Sequence, residues 1–235
     1  MRVAVVPAAG VGRRFGGKKQ FYRILGKPVV EFPLEVFSKS ELIDAVVLVL
    51  PKEDINLGDE LKQKFPKIAA VVEGGSERQS SVFRGLKKAS ELRPEEVVVH
   101  DGVRPVIDLS LITDLTVAMS DYETEGVVPG VKPKETVKEV GAPLEPGDFL
   151  VEKTLNRDKL ILVQTPQIFK FEVLLECHRR AEEEEVVATD DSALLERYGY
   201  TVVAIAGSYR NIKITTPEDV KIAEVFLREI YPEGL

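Results

Sequence analysis

The sequence predicts an α/β protein, a single domain in which a mostly parallel sheet is flanked by helices. Three observations lead to this class. Short apolar runs rich in valine recur along the chain, most of them lack polar alternation, and helical patterns separate several of them. Strands buried on both faces are typical of parallel sheets, and alternation of strand and helix is typical of α/β folds. The 235 residues suffice for one large domain of this kind.

The predicted elements follow the chain in order. Strands are expected at 3–6, 45–50, 69–72, 97–100, 126–130, 160–163 and 201–206. Helices are expected at 31–39, 78–92, 109–120, 170–184, 190–198 and 217–230. Start signals support three of the helices: Ser76 and Asp108 are candidate caps, and Thr216 with Pro217 suits the first turn of the last helix.

Residues 131–159 break this pattern. The segment "VKPKETVKEVGAPLEPGDFLVEKTLNRDK" holds three prolines and many charges around two short alternating runs. It is either a hairpin or arm that projects from the sheet, or a solvated surface loop. Composition alone leaves both open.

The composition limits the possible partners and the compartment. A net charge of −7 argues against general binding of nucleic acid or of an anionic membrane. The single cysteine, Cys177, excludes an intrachain disulfide and is expected to be buried. No signal peptide and no apolar run of membrane-spanning length is evident, so a cytoplasmic protein is expected.

The loop after the first strand is the main functional signal. Within "PAAGVGRRFGGKKQF" (7–21) there are four cations and no acid: Arg13, Arg14, Lys18 and Lys19. A dinucleotide fingerprint does not fit because Phe15 replaces its third glycine, and a P-loop does not fit because Lys19 replaces its hydroxyl residue. We expect a loop that binds phosphate through side-chain charge, with a solvated turn as the alternative.

Two further motifs end predicted strands and should share the same edge of the sheet. In "VVVHDGVRP" (97–105), Asp101 is either a magnesium ligand beside a triphosphate or an ordinary turn residue, and His100 is expected to be a satisfied core residue. In "EGGSERQSSVFRGL" (73–86), Gly75 and the nearby serines could hydrogen-bond to a nucleobase, or could simply form a capped turn.

Taken together, six motifs resemble the 2-C-methyl-D-erythritol 4-phosphate cytidylyltransferases of the non-mevalonate isoprenoid pathway. They are "PAAGVGRRFGGKKQF", "EGGSERQSSV", "HDGVRP", "TPQIF", "TDDSALLE" and "NIKITTPED", in that order over nearly the whole chain. The resemblance implies a Rossmann-like nucleotidyltransferase fold, CTP and a polyol phosphate as substrates, and Mg²⁺ as cofactor. It also implies a homodimer in which an extended arm, here 131–159, completes the partner's site.

The resemblance also implies roles for individual residues. Arg14 and Lys19 would stabilise charge on the α-phosphate, and Asp101 would bind Mg²⁺. Cytosine would be read by Ala8, Ala9, Gly75, Ser76 and Ser81, with Gly10 and Gly12 along the nucleotide. The erythritol phosphate would be placed by Arg104, Thr136, Arg157, Thr165, Thr189, Asp190 and Lys213. Of these, Arg157 and Lys213 are counted as catalytic, Arg157 coming from the neighbouring subunit.

The sequence departs from the family pattern in three places. Many members have a longer loop between the arginine and the lysine, with proline in place of Lys18, so either Lys18 or Lys19 could be the acting residue; the "KQ" pair favours Lys19. Many members also have aspartate at the positions of Ser76 and Glu135.

The expected reaction needs no general base because the acceptor phosphate is already an anionic nucleophile, which fits a chain with clustered cations and no catalytic triad. Two alternatives are a cytidylyltransferase for another polyol phosphate, such as ribitol 5-phosphate, and a catalytically silent nucleotide-binding module.

Overall fold

The computed structural model describes residues 1–232. Its strands are β1 (Arg2–Pro7), β2 (Arg23–Ile24), β3 (Lys27–Pro28), β4 (Ala45–Leu50), β5 (Ile68–Glu73), β6 (Glu96–Val99), β7 (Gly126–Val131), β8 (Lys138–Glu145), β9 (Asp148–Thr154), β10 (Leu162–Val163), β11 (Gln167–Lys170) and β12 (Val202–Ala206). Its α-helices are α1 (Glu31–Lys39), α2 (Leu57–Lys64), α3 (Arg78–Ala89), α4 (Leu109–Asp121), α5 (Phe171–Glu183), α6 (Asp191–Arg197) and α7 (Pro217–Ile230). Short 3₁₀ turns occur at Lys19–Phe21, Lys52–Asp54, Ser90–Leu92 and Arg157–Lys159.

The main sheet has eight strands in the order β10-β7-β11-β6-β1-β4-β5, with β12 paired to β7. The pairs β6–β1, β1–β4, β4–β5 and β7–β12 are parallel, whereas β10 and β11 are antiparallel to their neighbours. The predicted fold class, a mostly parallel Rossmann-like sheet flanked by helices, is therefore confirmed. The carboxyl ends of β1, β5 and β6 meet at one edge, where the loops that follow them come together.

Helices cover both faces of this sheet because successive strand residues point to opposite sides. In β1, Val3 and Val5 pack on the face covered by α3, α5 and α6, whereas Ala4 and Val6 pack on the face covered by α1, α2 and α4. A third cluster joins α7 to the β2–β3 hairpin. Two rigid layers thus support the loops at the sheet edge.

The predicted boundaries agree closely with the structure where start signals are strong. Helices α1 and α7 match the predicted ranges, and Thr216 caps α7 through a capping box with Asp219. Asp108 caps α4 by accepting a hydrogen bond from the Ser110 amide. The expected Ser76 cap is wrong: Glu77 caps α3, because its side chain accepts from the backbone of Ser80 while the Ser80 hydroxyl accepts from the Glu77 amide, 3.1 Å away.

Two strands of the main sheet, β10 and β11, differ from the prediction. The run 160–163 forms a strand only at Leu162–Val163, and a further strand, β11, lies in a segment predicted to be only a strand-to-helix junction. Strand β11 pairs with β6 on one side and with β7 on the other. Its four residues are too few to carry a periodicity of their own, so tertiary pairing decides their conformation.

Segment 131–159 contains an antiparallel hairpin formed by β8 and β9. Of the two alternatives that the sequence left open, the structure therefore selects the hairpin. Nearly every residue of the two strands is exposed, including Leu144, Phe149 and Leu150.

None of the helices within residues 1–232 combines the length and the apolar character that crossing a membrane requires.

Candidate active site

A cleft of about 380 Å³ opens at the carboxyl edge of the sheet. Its walls come from the loop after β1, the loop between β5 and α3, the segment after β6 and the approach to α7. The lining residues are Pro7, Ala8, Ala9, Gly10, Val11, Arg13, Lys19, Gln20, Gly75, Ser76, Glu77, Arg78, Ser81, Asp101, Val103 and Lys213. The volume lies within the usual range of small-molecule sites.

Small residues bring two of these loops into direct contact. A methyl group at Gly74 would lie 2.2 Å from the β-carbon of Ala9, so only glycine fits there. Ser81 then fixes the adjoining backbone: its Oγ accepts a hydrogen bond from the Gly75 amide at 3.1 Å and donates one to the Glu77 carbonyl at 2.9 Å. This corner of the cleft is therefore rigid and narrow, which suits a flat ring better than a flexible chain.

Asp101 is the electrostatic centre of the opposite wall. Its Oδ1 lies 2.7 Å from Nε of Arg78, and its Oδ2 lies 2.8 Å from Nζ of Lys213 and 3.7 Å from Nε of Arg104. Burial alone would raise the pKa of this carboxyl, but the three cations outweigh it and hold the pKa well below its usual range. Arg78 is also paired with Asp191, so three positive charges face two negative ones, and the remaining positive charge lets this wall attract an anion.

Lys19 adds to this positive field without a carboxylate of its own. Its ammonium lines the cleft, and burial, together with the charges of Lys213 and Arg14, lowers the pKa of Lys19. The neighbouring Lys18 is directed elsewhere, with Nζ 3.1 Å from Glu53 and 2.6 Å from Asp54. The repulsion between Lys19 and its neighbouring cations is unfavourable, and a bound polyanion would relieve it. Of the two lysines, Lys19 is therefore the one placed to bind a polyanion.

A buried hydrogen-bond network supports Asp101 from behind. The Asp101 amide donates to Oγ1 of Thr165 at 3.1 Å, and that hydroxyl donates to Nδ1 of His100 at 3.1 Å. The other ring nitrogen of His100 donates to the Arg104 carbonyl, also at 3.1 Å. Burial lowers the pKa of His100 to about 4. The ring is thus a neutral, satisfied core residue, as the sequence predicted.

Thr165 reaches this position because β11 is antiparallel to β6. Gln167, the first residue of β11, pairs with Val99, the last residue of β6. The residues just before β11 therefore lie beside those just after β6, and all of them share the edge that carries the cleft.

Comparison with known proteins bears on the identity of this site. The family profile described as 2-C-methyl-D-erythritol 4-phosphate cytidylyltransferase matches residues 2–229. The chain belongs to the 2-C-methyl-D-erythritol 4-phosphate cytidylyltransferase family. The predicted family is confirmed, and with it the predicted enzyme: a nucleotidyltransferase of isoprenoid biosynthesis that transfers a cytidylyl group from CTP to 2-C-methyl-D-erythritol 4-phosphate.

Individual relatives agree with this cytidylyltransferase assignment. A protein of that name from Clostridium acetobutylicum is 40% identical over 234 residues, which cover 97% of this chain and 98% of the relative. The solved structure of 4-diphosphocytidyl-2C-methyl-D-erythritol synthase from Anaerococcus prevotii is 32% identical, with a TM-score of 0.82 over 97% of this chain and 96% of its own. The Thermus thermophilus cytidylyltransferase gives a TM-score of 0.76 at 30% identity, over 95% of this chain and 98% of its own.

Within this cytidylyltransferase, most residues expected to bind the nucleotide line one cleft. They are Ala8, Ala9, Gly10, Lys19, Gly75, Ser76, Ser81 and Asp101, together with Lys213. Arg14 and Gly12 are not among the lining residues; Arg13 is, and Arg14 remains close enough for its charge to influence Lys19. Gly12 instead forms the turn of the loop: its φ is +68°, and its carbonyl accepts from the amides of Phe15 and Gly16 at 2.9 Å.

Residues expected to bind the acceptor fall into two groups. Arg104, Thr165 and Lys213 surround Asp101, and Asp190 caps α6, with its Oδ2 accepting from Nε2 of Gln167 at 2.8 Å. Thr136 and Arg157 lie elsewhere, exposed at the base of the hairpin, where Nη1 of Arg157 donates to the Lys134 carbonyl at 2.7 Å. The single chain does not bring this second group to the cleft.

Sequence reasoning missed Arg78, the residue that binds Asp101 most directly. It lines the cleft and also contacts Asp191, with Nη1 2.8 Å from Oδ2. The signal was present in "SERQSS", because an arginine in the first turn of a helix is unfavourably placed in the helix dipole and so calls for carboxylate partners. Its two partners are far away in sequence, and the pattern alone could not supply them.

Proposed function

We propose that the cytidylyl transfer takes place in this cleft, with cytosine in the narrow corner and the triphosphate along the cationic wall. The observation that carries the proposal is the convergence of Arg78, Arg104 and Lys213 on a single buried carboxylate, Asp101. Lys19 lines the same cleft beside this group. Against the carboxylates of Asp101 and Asp191, which share Arg78, these four cations leave a net positive charge. A triphosphate and a second phosphate are the ligands in this reaction that would neutralise it.

The chemistry follows from that charge. An oxygen of the acceptor phosphate attacks the α-phosphorus of CTP, a new P–O bond forms, and the bond to the β-phosphate oxygen breaks to release pyrophosphate. No proton has to be removed because the attacking oxygen is already anionic. Lys19 offsets the negative charge that gathers at the α-phosphate, and Arg14 adds its charge from beside Lys19, outside the cleft lining. Lys213 holds the acceptor phosphate in reach.

Mg²⁺ is part of the proposal, with Asp101 as its protein contact. Within the described residues 1–232, no three His, Cys, Asp or Glu side chains are grouped closely enough to hold a metal ion. Asp101 is ionised, but it already faces three cations, so an ion arriving alone would be repelled. Mg²⁺ keeps few protein ligands and commonly binds with phosphates, which fits delivery with CTP, where it would neutralise part of the triphosphate charge.

The acceptor site is proposed to need a second copy of the chain. Arg157 and Thr136 are exposed on the hairpin segment rather than in the cleft of their own chain. The hairpin also carries exposed apolar side chains, with Leu150 63% and Leu144 68% accessible, that a partner subunit would cover. A homodimer built through this arm would bring the arginine of one subunit to the cleft of the other.

A pyrophosphate-release assay tests the reaction. With CTP, Mg²⁺ and 2-C-methyl-D-erythritol 4-phosphate we expect turnover; ribitol 5-phosphate in place of the acceptor, or UTP in place of CTP, should give much less. CTP binding without pyrophosphate release from any acceptor would instead support a silent binding module.

Calorimetry tests the metal separately from activity. We expect no Mg²⁺ binding by the protein alone at millimolar concentration, and binding once a non-hydrolysable CTP analogue is present. The Asp101→Asn variant should bind Mg²⁺ more weakly than the wild type when the CTP analogue is present. Tight Mg²⁺ binding without nucleotide would contradict delivery with CTP.

A further inference from the structure

The segment between α5 and α6 is held by a side chain from another helix. Residues 186–190 carry Thr189 and Asp190, for which the family resemblance implies a role in placing the acceptor. Gln79, in the first turn of α3, donates from Nε2 to the Val186 carbonyl at 2.9 Å and accepts at Oε1 from the Ala188 amide at 2.9 Å. One side-chain amide thus serves as donor and acceptor for two backbone groups, as a neighbouring strand would.

The C-terminal end of the same segment is fixed by buried charge. Asp191, the first residue of α6, is 1% exposed. Its Oδ1 accepts from Nε2 of His178 at 2.9 Å, and its Oδ2 lies 2.8 Å from Nη1 of Arg78. The ring of His178 is stacked on Phe83 of α3, with ring centroids 5.8 Å apart. Asp191 therefore has little freedom to move relative to α3.

The first turn of α3 therefore contacts both the nucleotide side and the acceptor side of the proposed site. Arg78 binds Asp101 through Nε and Asp191 through Nη1, and Gln79 binds the segment before Asp191. Two residues further on, Ser81 fixes the Gly75 backbone at the narrow corner. The start of α3 is thus a shared support: a shift in it would change the distance between the nucleotide side and the acceptor side.

We propose that Gln79, together with the Arg78–Asp191–His178 set, is a positioning element that sets Thr189 and Asp190 at the correct distance from the nucleotide. The inference rests on the proposed function and on the role in placing the acceptor that the family resemblance implies for Thr189 and Asp190. Gln79 is not among the residues that line the cleft. Its effect is exerted through the backbone of residues 186–188, so it should act on the acceptor and not on CTP.

The Gln79→Ala variant of the full-length protein tests this. Two neutral hydrogen bonds are lost, so kcat/KM for the acceptor should fall about tenfold while KM for CTP stays near the wild-type value. Hydrogen exchange gives a readout independent of activity: the Ala188 amide, whose acceptor is Oε1 of Gln79, should lose protection. The matched control is Gln63→Ala, the same change at an exposed position of α2, which should alter neither quantity.

Two further variants separate the possible failures. Thr189→Ala should also reduce kcat/KM for the acceptor; if it has no effect, the proposed acceptor site is wrong and the inference falls with it. If Thr189→Ala is damaging but Gln79→Ala is not, only the inference is overturned. Equal increases in KM for CTP and for the acceptor would mean a general loss of structure and would also overturn it. Asp191→Asn should reproduce the acceptor-specific loss.

Discussion

Adjacent lysines in the phosphate loop give the sharpest test of the site. Replacing Lys19 with alanine should abolish most turnover, whereas replacing Lys18 should leave kcat close to the wild-type value. The two residues differ by one position in sequence, yet Lys19 lines the cleft and Lys18 is paired with Glu53 and Asp54. The pair therefore serves as its own matched control for charge, size and position in the chain.

The expected magnitude follows from the half-buried position of Lys19. At an effective dielectric constant of about 20, an ammonium about 4 Å from a phosphate oxygen contributes about 4 kcal/mol. Only the share gained between the bound substrate and the transition state affects kcat. Removal of one comparable stabilising donor costs about 3–4 kcal/mol in other enzymes. We therefore expect kcat of Lys19→Ala to fall at least about a hundredfold.

Steady-state pyrophosphate release at saturating CTP and acceptor measures kcat for both variants, and thermal unfolding shows whether each is folded. Lys19→Ala should be at least as stable as the wild type because it removes a partly buried cation from a crowd of like charges. If both variants lose activity equally, or if Lys19→Ala keeps near-normal turnover, the assignment of Lys19 to the α-phosphate is wrong.

Two other predictions concern the hairpin and the response to acid. Leu150→Asp should convert the proposed dimer to an inactive monomer in sedimentation velocity, whereas Val225→Asp, a similarly exposed change on α7, should not; an unchanged oligomeric state would contradict the arm's role. His100 should make the fold acid-sensitive, since its pKa is about 4 in the folded protein against 6.5 in the unfolded chain. The unfolded chain gains its proton first, so stability should fall by about 3 kcal/mol as the pH drops from 6.5 to 4. His100→Asn should flatten this slope in urea titrations, and an unaltered slope would count against it.

Local signals were sufficient for much of the fold. Helix α7 matches its predicted bounds because Thr216 caps it and Pro217 starts it, and both act within one turn. Helix α2 was missed because "LGDELKQK" is mostly polar and buries little more than Leu61. Strand β11 was missed because its four residues are strand only through their partners β6 and β7. Elements whose conformation is fixed by neighbouring residues were thus predicted, whereas elements that depend on contacts with distant parts of the chain were not.

The candidate site divides in the same way. The cations of the first loop, the glycines before α3 and Asp101 just after β6 were all expected at one edge of the sheet, because parallel strands deliver the loops that follow them to one edge. The sequence favoured Lys19 over Lys18 only through the family's "KQ" pair, because the position of Lys18 depends on Glu53 and Asp54, which follow another strand. The position of Arg157 at the hairpin, away from the cleft of its own chain, likewise depends on how the arm leaves the sheet.

The sequence by itself determined the fold class, the family and the kind of chemistry, because periodicity, small-residue loops and charge type are properties of short stretches. Only the tertiary structure decided how the charges are paired. Arg78 joins Asp101 to Asp191, Lys213 completes the group around Asp101, and Gln79 holds a segment more than a hundred residues away. Ion pairs and hydrogen bonds act over a few ångströms, so they exist only after folding has brought distant parts of the chain to the same edge of the sheet.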